Sequence, residues 1–284
     1  MAPKTTDPTK AGNAAGGAAF TVPQDGTILA RIGRASVGRL SIHRGNYELG
    51  HGTAFVYKQV INNKSKTSTL YLLTNRHVVT GILNLYPEFL STLRESQKLT
   101  DEPAGLKLQL EGNTYSISTV LTARGEFFKD VALQSRHLDF AFFNLSIDSV
   151  EQLEFFSVPD TWDTQQGSSV FALGYPHEMD LSISDGIISH IYGDNPKVEG
   201  HKWGIQHNIL THPGTSGGPT ITPFGRVIGI ETWGRRDAAG LEFSLNLQNI
   251  LEYCKDPANL EEIQVDKVVA RLKSRAEEEF TYGT

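Results

Sequence analysis

The chain has 284 residues, and its 26 Lys and Arg against 32 Asp and Glu leave a net charge of −6. This acidic balance speaks against a nucleic-acid partner, and no run approaches the roughly 18 apolar residues of a membrane span. The single cysteine, Cys254, cannot close an intrachain disulfide. Cysteine usage therefore predicts a cytoplasmic or other reducing intracellular compartment.

Residues 1–26 are rich in Ala, Gly, Thr, Pro and Lys, which predicts a flexible N-terminal tail. Its apolar stretch Ala14–Phe20 is short and interrupted by glycine, so we do not expect a signal peptide. Residues 27–145 predict a first β-barrel with a helical insertion at Leu83–Leu99. The predicted strands of this block are Ile28–Ile32, Val37–Ile42, Thr53–Val60, Thr69–Thr74, Leu106–Leu110, Thr114–Leu121 and Phe140–Leu145.

Residues 146–165 have mixed charge and little periodicity, which predicts a linker, and residues 166–248 predict a second β-barrel. Residues 249–284 predict a helical segment that includes a helix over Leu260–Phe280. The apolar stripe of that helix predicts packing on the barrels, on a second copy of the chain or on another partner. The predicted strands of the second block are Ser169–Leu173, Gly186–Tyr192, Gly204–Leu210, Pro219–Thr222, Val227–Thr232 and Leu241–Leu245.

A serine surrounded by glycines stands out in Pro213–Pro219, which reads PGTSGGP. Glycine lets the backbone turn so that several N–H groups face one point, where they can stabilise an oxyanion. Ser216 is therefore a candidate nucleophile, although a short motif of this kind is also typical of a plain glycine-rich turn. A serine hydroxyl also needs a base, and the base needs an acid that orients it.

His77 and Asp139 are the candidate base and acid. His77 follows the apolar run of the segment LLTNRHVV, and Asp139 directly precedes the predicted strand Phe140–Leu145. Each residue alone is also typical of an ordinary half-buried histidine or strand-end aspartate. Asp130 is an alternative acid, but polar residues interrupt the strand pattern that follows it.

The chain order of these residues separates three classes of hydrolase. No histidine follows Ser216, so the Ser–Asp–His order of α/β-hydrolases is excluded despite a match to G-x-S-x-G. An esterase on that unrelated fold is disfavoured for the same reason. Only Asp7 and Asp25 precede His77, both in the predicted tail, which disfavours the subtilisin order. The order His, Asp, Ser remains, as in chymotrypsin.

Six motifs in this order resemble trypsin-like serine proteases of the chymotrypsin fold, over about residues 28–250. The nearest resemblance is to the HtrA/Deg branch, although the 34 residues after position 250 are too few for a PDZ domain of ordinary size. The motifs are Gly52-Thr53-Ala54-Phe55-Val56, Thr74-Asn75-Arg76-His77-Val78-Val79, Asp139-Phe140-Ala141, Gly174-Tyr175-Pro176, Gly186-Ile187-Ile188-Ser189 and Pro213 to Pro219.

The resemblance implies an all-β protein with two antiparallel six-stranded barrels, to which the apolar spacing adds a C-terminal helix. It implies that Ser216 is the nucleophile, that His77 is the general base and that Asp139 fixes the imidazole tautomer. The backbone N–H groups of Gly214 and Ser216 would form the oxyanion hole. The implied activity is a serine endopeptidase that acts on peptides or proteins through an acyl-enzyme and needs no cofactor.

The resemblance also implies a substrate site. The strand Thr232-Trp233-Gly234 would pair with the substrate backbone, and Leu210 and Thr211 would lie at the wall and base of the specificity pocket. Because neither residue is acidic, we expect a preference for small or medium apolar side chains. The alternative function is a catalytically silent peptide-binding module on the same fold. We expect no metal site, since the three late histidines have no cysteine partner and no helical spacing; they are His201, His207 and His212.

Overall fold

The structure is a computed structural model that describes residues 17, 20–44, 47–80, 104–124, 138–159, 164–177, 179–192, 203–234 and 240–265. Three α-helices lie in this part of the chain: α1 Gly26–Ser36, α2 Arg76–Thr80 and α3 Leu247–Tyr253. The first strands are β1 Val37–Arg44, β2 Tyr47–Asn62, β3 Thr67–Thr74, β4 Ala104–Leu110, β5 Asn113–Ile117, β6 Thr119–Ala123 and β7 Ala141–Ile147. The later strands are β8 Ser169–Gly174, β9 Ser182–Ile191, β10 Gly204–His207, β11 Pro219–Ile221, β12 Val227–Gly234, β13 Glu242–Asn246 and β14 Leu260–Gln264.

The strands form two antiparallel units, as the all-β prediction required. The first is an eight-stranded sheet in the order β14-β6-β7-β3-β2-β1-β4-β5, and the second is a closed barrel in the order β10-β13-β12-β11-β8-β9. The prediction of six strands thus holds for the second unit. The first unit has two more strands than predicted, because Ser118 divides one predicted strand into β5 and β6 and because β14 is added at the sheet edge.

The predicted strand at Ile28–Ile32 is wrong, because this segment lies inside helix α1. The Asp25 carboxylate caps the helix by accepting hydrogen bonds from the N–H groups of Thr27 and Ile28, at 2.9 and 3.2 Å. Leu29 and Ile32, which are three residues apart, are both buried on the same helix face. The cap and the helical spacing together outweigh the strand propensity of the isoleucines.

The flexible tail predicted for residues 1–26 is wrong for its last residues. The N–H of Phe20 donates to the carbonyl of Phe224 at 3.0 Å, and the N–H of Gln24 donates to the carbonyl of Pro223 at 2.8 Å. The Phe20 side chain also packs on the core between the two units. Residues 1–16 lie outside the described part of the chain.

The predicted helix at Leu260–Phe280 is wrong at its start, because Leu260–Gln264 forms strand β14. This strand pairs with β6 in the antiparallel register that runs from Leu260↔Ala123 to Gln264↔Thr119. The available edge of β6 supplies hydrogen bonds that the local helical spacing could not reveal. Residues 266–284 and the predicted insertion Leu83–Leu99 lie outside the described residues.

One apolar core joins the two units and fixes the seam where the candidate residues meet. It contains Leu29 of α1, Phe55 of β2 and Leu73 of β3, together with Leu173 of β8 and Ile230 of β12. The predicted linker, residues 146–165, crosses this core through Phe156, and Ser157 then forms a β-bridge with Arg226. Within the described residues, no helix has the length and apolar character needed to cross a bilayer.

Candidate active site

His77 lies in the first turn of α2, immediately after the buried end of β3. The sequence predicted a histidine delivered by a strand into a loop, and the structure adds this short helix. Its backbone N–H donates to Asp139 Oδ1 at 2.8 Å, and its ring Nδ1 lies 2.6 Å from Asp139 Oδ2. A carboxylate only accepts, so Nδ1 carries the proton of the neutral ring and Nε2 is left with its lone pair.

Asp139 is well placed to hold this tautomer, because its two oxygens bind two different groups of the same residue. The side chain of Asp139 is 16% exposed, against 33% for the His77 ring. The buried Phe140 follows at once and anchors the chain at the start of β7. The alternative acid, Asp130, lies outside the described residues.

Ser216 lies in the loop between β10 and β11, pressed against strand β2. The N–H of Thr53 donates to the Ser216 carbonyl at 2.8 Å, and an added Cβ on Gly217 would lie 2.1 Å from the Thr53 carbonyl oxygen. Gly217 also has φ of +88°, so both space and backbone angle require glycine here. The Ser216 hydroxyl donates a long hydrogen bond of 3.4 Å to the carbonyl of Thr232.

Asn75 connects these groups across the seam, although the sequence analysis did not assign it a role. Its Nδ2 donates to the Asp139 carbonyl at 2.9 Å and to Thr232 Oγ1 at 3.0 Å. Asn75 is two residues before His77, while Thr232 accepts the hydrogen bond of Ser216 through its carbonyl. One connected set of hydrogen bonds therefore brings His77, Asp139 and Ser216 into the same region.

Hydrogen bonds from two other segments hold the loop before Ser216. The N–H of His177 donates to the Pro213 carbonyl at 2.7 Å. Because a trans peptide directs its C=O and N–H to opposite sides, the N–H of Gly214 points away from His177. Thr53 Oγ1 donates to the Gly214 carbonyl at 2.8 Å. Within the described ranges, the amides of Gly214 and Ser216 donate to no protein acceptor, so both are available to an oxyanion.

Gly214 also has a steric role that the sequence could not reveal. Its φ is +103°, and an added Cβ would lie 2.2 Å from the Tyr175 carbonyl oxygen and 2.7 Å from Nε2 of His51. The His51 ring is held through Nδ1, which lies 3.3 Å from Oε1 of Glu48. Burial is the main cause that lowers the pKa of His51, which favours a neutral ring beneath the loop.

The residues predicted to bind substrate are only partly brought together. Trp233 of β12 stacks on Phe243 with ring centroids 5.1 Å apart, and Gly234 ends the same strand. Leu210 is 60% exposed, and the hydroxyl group of Thr211 contacts Glu242 of β13. The roles of Leu210 and Thr211 in a pocket stay predictions.

An acid of strand β13 contacts one of the residues predicted to line the pocket. Thr211 Oγ1 donates to Glu242 Oε2 at 3.0 Å. Glu242 pairs with Gly234 in the β12–β13 register, and its carboxyl group occupies the space that a side chain at Gly234 would need. The expectation of a neutral pocket had rested on Leu210 and Thr211 alone, and it did not consider Glu242.

A second carboxyl group, that of Glu231, lies deeper in the barrel and is fully bonded. Its Oε1 accepts hydrogen bonds from Thr220 at 2.6 Å and Ser244 at 2.7 Å, and lies 3.0 Å from His207 Nε2. Burial alone would raise the pKa of Glu231, but His207 and the two hydroxyl groups outweigh burial and lower it. The described residues hold no group of three or more His, Cys, Asp or Glu able to bind a metal.

This geometry can be compared with known protein families. A model of the trypsin-like peptidase domain matches residues 52–230, which is more than half of the chain. The chain belongs to the trypsin-like peptidases. The matched segment includes His77, Asp139 and Ser216, together with Thr211 of the predicted pocket.

Several relatives of this trypsin-like peptidase are HtrA-type proteins. A protein named "Probable periplasmic serine endoprotease DegP-like" from Halomonas elongata is 29% identical over 162 residues, which are 57% of this chain and 27% of that protein. The "Serine protease Do-like HtrA" of Bacillus subtilis is 26% identical over 208 residues, 70% of this chain and 37% of that protein. The chain thus spans well under half the length of these relatives.

Similar solved structures confirm the chymotrypsin-like fold. A serine endoprotease from Yersinia pestis has a TM-score of 0.53 at 16% identity, with 82% of this chain and 66% of that chain covered. A structure described as Deg5 has a TM-score of 0.51 at 19% identity, with 80% and 90% covered. At these identities the similarity concerns the fold alone.

Proposed function

We propose that this trypsin-like peptidase is a serine endopeptidase that uses His77, Asp139 and Ser216 as its catalytic triad. The observation that carries the proposal is the double contact of Asp139 with His77, at 2.6 Å to the ring and 2.8 Å to the backbone. This contact keeps the ring proton on Nδ1, so Nε2 carries no proton and can accept one, as a general base requires.

The reaction begins when the Ser216 hydroxyl turns from the Thr232 carbonyl towards His77. Such hydrogen bonds are often long before substrate binds. Ser216 Oγ forms a bond to the substrate carbonyl carbon as Nε2 takes its proton, and Asp139 stabilises the resulting imidazolium. The negative oxygen of the tetrahedral intermediate accepts hydrogen bonds from the N–H groups of Gly214 and Ser216.

The C–N bond then breaks, and His77 gives the proton to the leaving amine, which leaves an acyl ester on Ser216. A water molecule attacks this ester as His77 takes a proton from it, and collapse of the second intermediate returns that proton to Ser216 Oγ. Nothing is oxidised or reduced, so the cycle needs only the peptide and water. The products are a carboxylic acid and an amine, and the enzyme is restored.

Substrate binding is proposed at the end of β12, where Thr232, Trp233 and Gly234 lie beside the candidate nucleophile. An extended peptide can add to a strand edge through main-chain hydrogen bonds. The bond from His177 to Pro213 supports an active rather than a silent site, because it directs the Gly214 amide away from His177. The reducing compartment inferred from the single Cys254 stays a prediction, and one relative carries "periplasmic" in its name.

Cleavage of a mixed peptide library, followed by mass spectrometry, tests the proposal. The native chain is expected to produce new peptide termini, while Ser216→Ala and His77→Ala produce none above the uncatalysed level. Asp130→Asn is the matched control and is expected to retain cleavage. Tight binding of peptides without any cleavage would contradict the proposal and support the silent binding module.

A further inference from the structure

The Glu242 carboxyl group lies against Thr211 and Gly234 and has no cation beside it among the described residues. Its residue is only 9% exposed. Among the described residues, its one side-chain hydrogen bond comes from the neutral hydroxyl of Thr211, at 3.0 Å, and no Lys or Arg forms an ion pair with it. A buried carboxylate is costly unless a cation pairs with it. A ligand that brings a positive charge would therefore gain from this group.

The position of Glu242 relative to the nucleophile follows from the strand register. The Ser216 hydroxyl contacts Thr232, and Gly234 lies two residues further along β12, or about 6.6 Å at the rise of a β-strand. The Glu242 carboxyl fills the side-chain space of Gly234. Thr211, five residues before Ser216, donates to the same carboxyl group at 3.0 Å. The carboxyl group therefore lies between the segment that leads to Ser216 and the end of β12.

The surroundings of Glu242 make its ionised form less favourable than that of an exposed glutamate. Burial is the largest effect and raises the pKa of Glu242, and the like charge of Glu231 adds to the rise. The Thr211 hydrogen bond and His207 oppose it without cancelling it. Glu231 is already paired with His207 and two hydroxyl groups, so it is not free to neutralise an incoming cation.

We propose that Glu242 determines the specificity of the pocket and selects substrates with Lys or Arg immediately before the scissile bond. This inference rests on the proposed endopeptidase function and replaces the apolar preference expected from the sequence. The ammonium or guanidinium group would form a charge-assisted hydrogen bond with the carboxylate oxygen that Thr211 does not use. The ligand would approach this oxygen from the side of the carboxyl group that faces away from Gly234, because the carboxyl group itself fills the space beside that glycine.

Four peptides that differ only in the residue before the scissile bond test this inference, with Arg, Lys, Leu or Ala at that position. The native enzyme is expected to show a kcat/KM about 10²-fold higher for Arg and Lys than for Leu, the scale of a desolvated charge pair. Glu242→Gln keeps the size of the side chain and is expected to remove this preference by lowering kcat/KM for the Arg and Lys peptides about 10²-fold. Glu252→Gln, at an exposed acid that forms an ion pair with Lys255, is expected to keep the preference.

The pH dependence gives a readout that needs no variant. As the pH falls through the raised pKa of Glu242, the Arg-to-Leu ratio is expected to fall, because both peptides share His77 but only the Arg peptide uses the carboxylate. An equal or better rate for Leu and Ala, with all hydrolysis lost in Ser216→Ala, would overturn the specificity inference and leave the proposed function standing. A preference that persists in Glu242→Gln would overturn it too.

Binding of benzamidine, a small arylamidinium, tests the pocket without turnover. The Ser216→Ala protein is expected to bind it in a calorimetric titration, and Ser216→Ala/Glu242→Gln is expected to bind at least about 10-fold more weakly. Equal binding by the two proteins, or none by the first, would overturn the inference even if no peptide were cleaved. The sequence places Arg235 and Arg236 next to Gly234. A preference for Arg that appears only in Arg235→Ala/Arg236→Ala would overturn it for the native chain.

Discussion

Replacing Asp139 with Asn should remove most of the activity without disturbing the fold. In Asp139→Asn the side-chain carbonyl oxygen can still accept the backbone N–H of His77, which lies 2.8 Å from the carboxylate in the native chain. The amide nitrogen would then face Nδ1 at the 2.6 Å contact, and it can only donate there. Nδ1 must therefore lose its proton, and the proton moves to Nε2. A ring protonated at Nε2 cannot accept the proton of Ser216.

The size of the effect follows from this change of tautomer. When the acid of a His–Asp–Ser triad becomes an amide, kcat falls by about 10⁴, which corresponds to about 5.5 kcal/mol of transition-state stabilisation. The free energy of unfolding should change by less than about 1 kcal/mol, because both contacts of residue 139 remain hydrogen bonds. A large loss of rate with an unchanged melting temperature is therefore the expected signature.

The assay is kcat on the best peptide from the library, with the enzyme concentration set by active-site titration and stability followed by thermal unfolding. Asp130→Asn is the matched control, since Asp130 is the other aspartate that the sequence offered, and it should retain full activity. The tautomer argument is refuted if Asp139→Asn keeps kcat within a few-fold of the native value. Loss of activity in Asp130→Asn instead would move the triad acid to that residue.

The remaining predictions concern the loop, the barrel and the first helix. Gly214→Ala should lower kcat by about 10²–10³-fold because the oxyanion loop cannot keep its backbone angle. The control Gly26→Ala adds a Cβ with no atom within 4 Å and should leave kcat unchanged. Equal activity of the two variants would contradict the loop geometry. Glu231→Ala should lower the free energy of unfolding, measured in urea, by about 3–5 kcal/mol, because a buried network loses its acceptor. The exposed Glu252→Gln should leave this free energy almost unchanged. A loss below about 1 kcal/mol in Glu231→Ala would count against the network. Because the folded-state pKa of Glu231 is lowered, its contribution should be present above its ordinary pKa and lost as the pH falls through the lowered one, so the acid slope of stability should flatten in Glu231→Gln. Leu29→Ala should lower the free energy of unfolding by about 2–5 kcal/mol, because Leu29 of α1 is buried in the core. A change near zero would contradict that packing.

The candidate triad could be predicted because each of its residues lies in a local motif. A serine between glycines, a histidine after an apolar strand and an aspartate before another can each be identified within a few residues of sequence. Their chain order then excluded two other hydrolase classes. What the sequence could not supply was Asn75, whose importance comes from two hydrogen bonds to Asp139 and Thr232, both far away in the chain.

The errors in secondary structure have a common physical cause, which is tertiary contact. The isoleucines near residue 30 have high strand propensity, but the Asp25 cap and the buried face of α1 make them helical. Residues 260–264 have helical apolar spacing, but the edge of β6 pairs with them as a strand. In both cases the deciding partner is a cap or an edge that local periodicity does not include.

The pocket was the least predictable part of the site. Its wall and base were assigned from Leu210 and Thr211, which lie close to Ser216 in sequence and are neutral. The acid that we propose for the pocket is Glu242, which the β12–β13 register places opposite Gly234. A register of this kind depends on the closed barrel as a whole, so a search of the residues near the nucleophile could not find it.

Phosphonylation of the native chain by a serine-directed diaryl phosphonate is the most direct measurement of whether His77, Asp139 and Ser216 work together. The adduct, mapped by mass spectrometry of the digested protein, should form with one equivalent and lie on Ser216. His77→Ala should react more slowly by several orders of magnitude while it unfolds at the native temperature. No adduct on the native protein, or one that forms at the same rate in His77→Ala, would contradict the account.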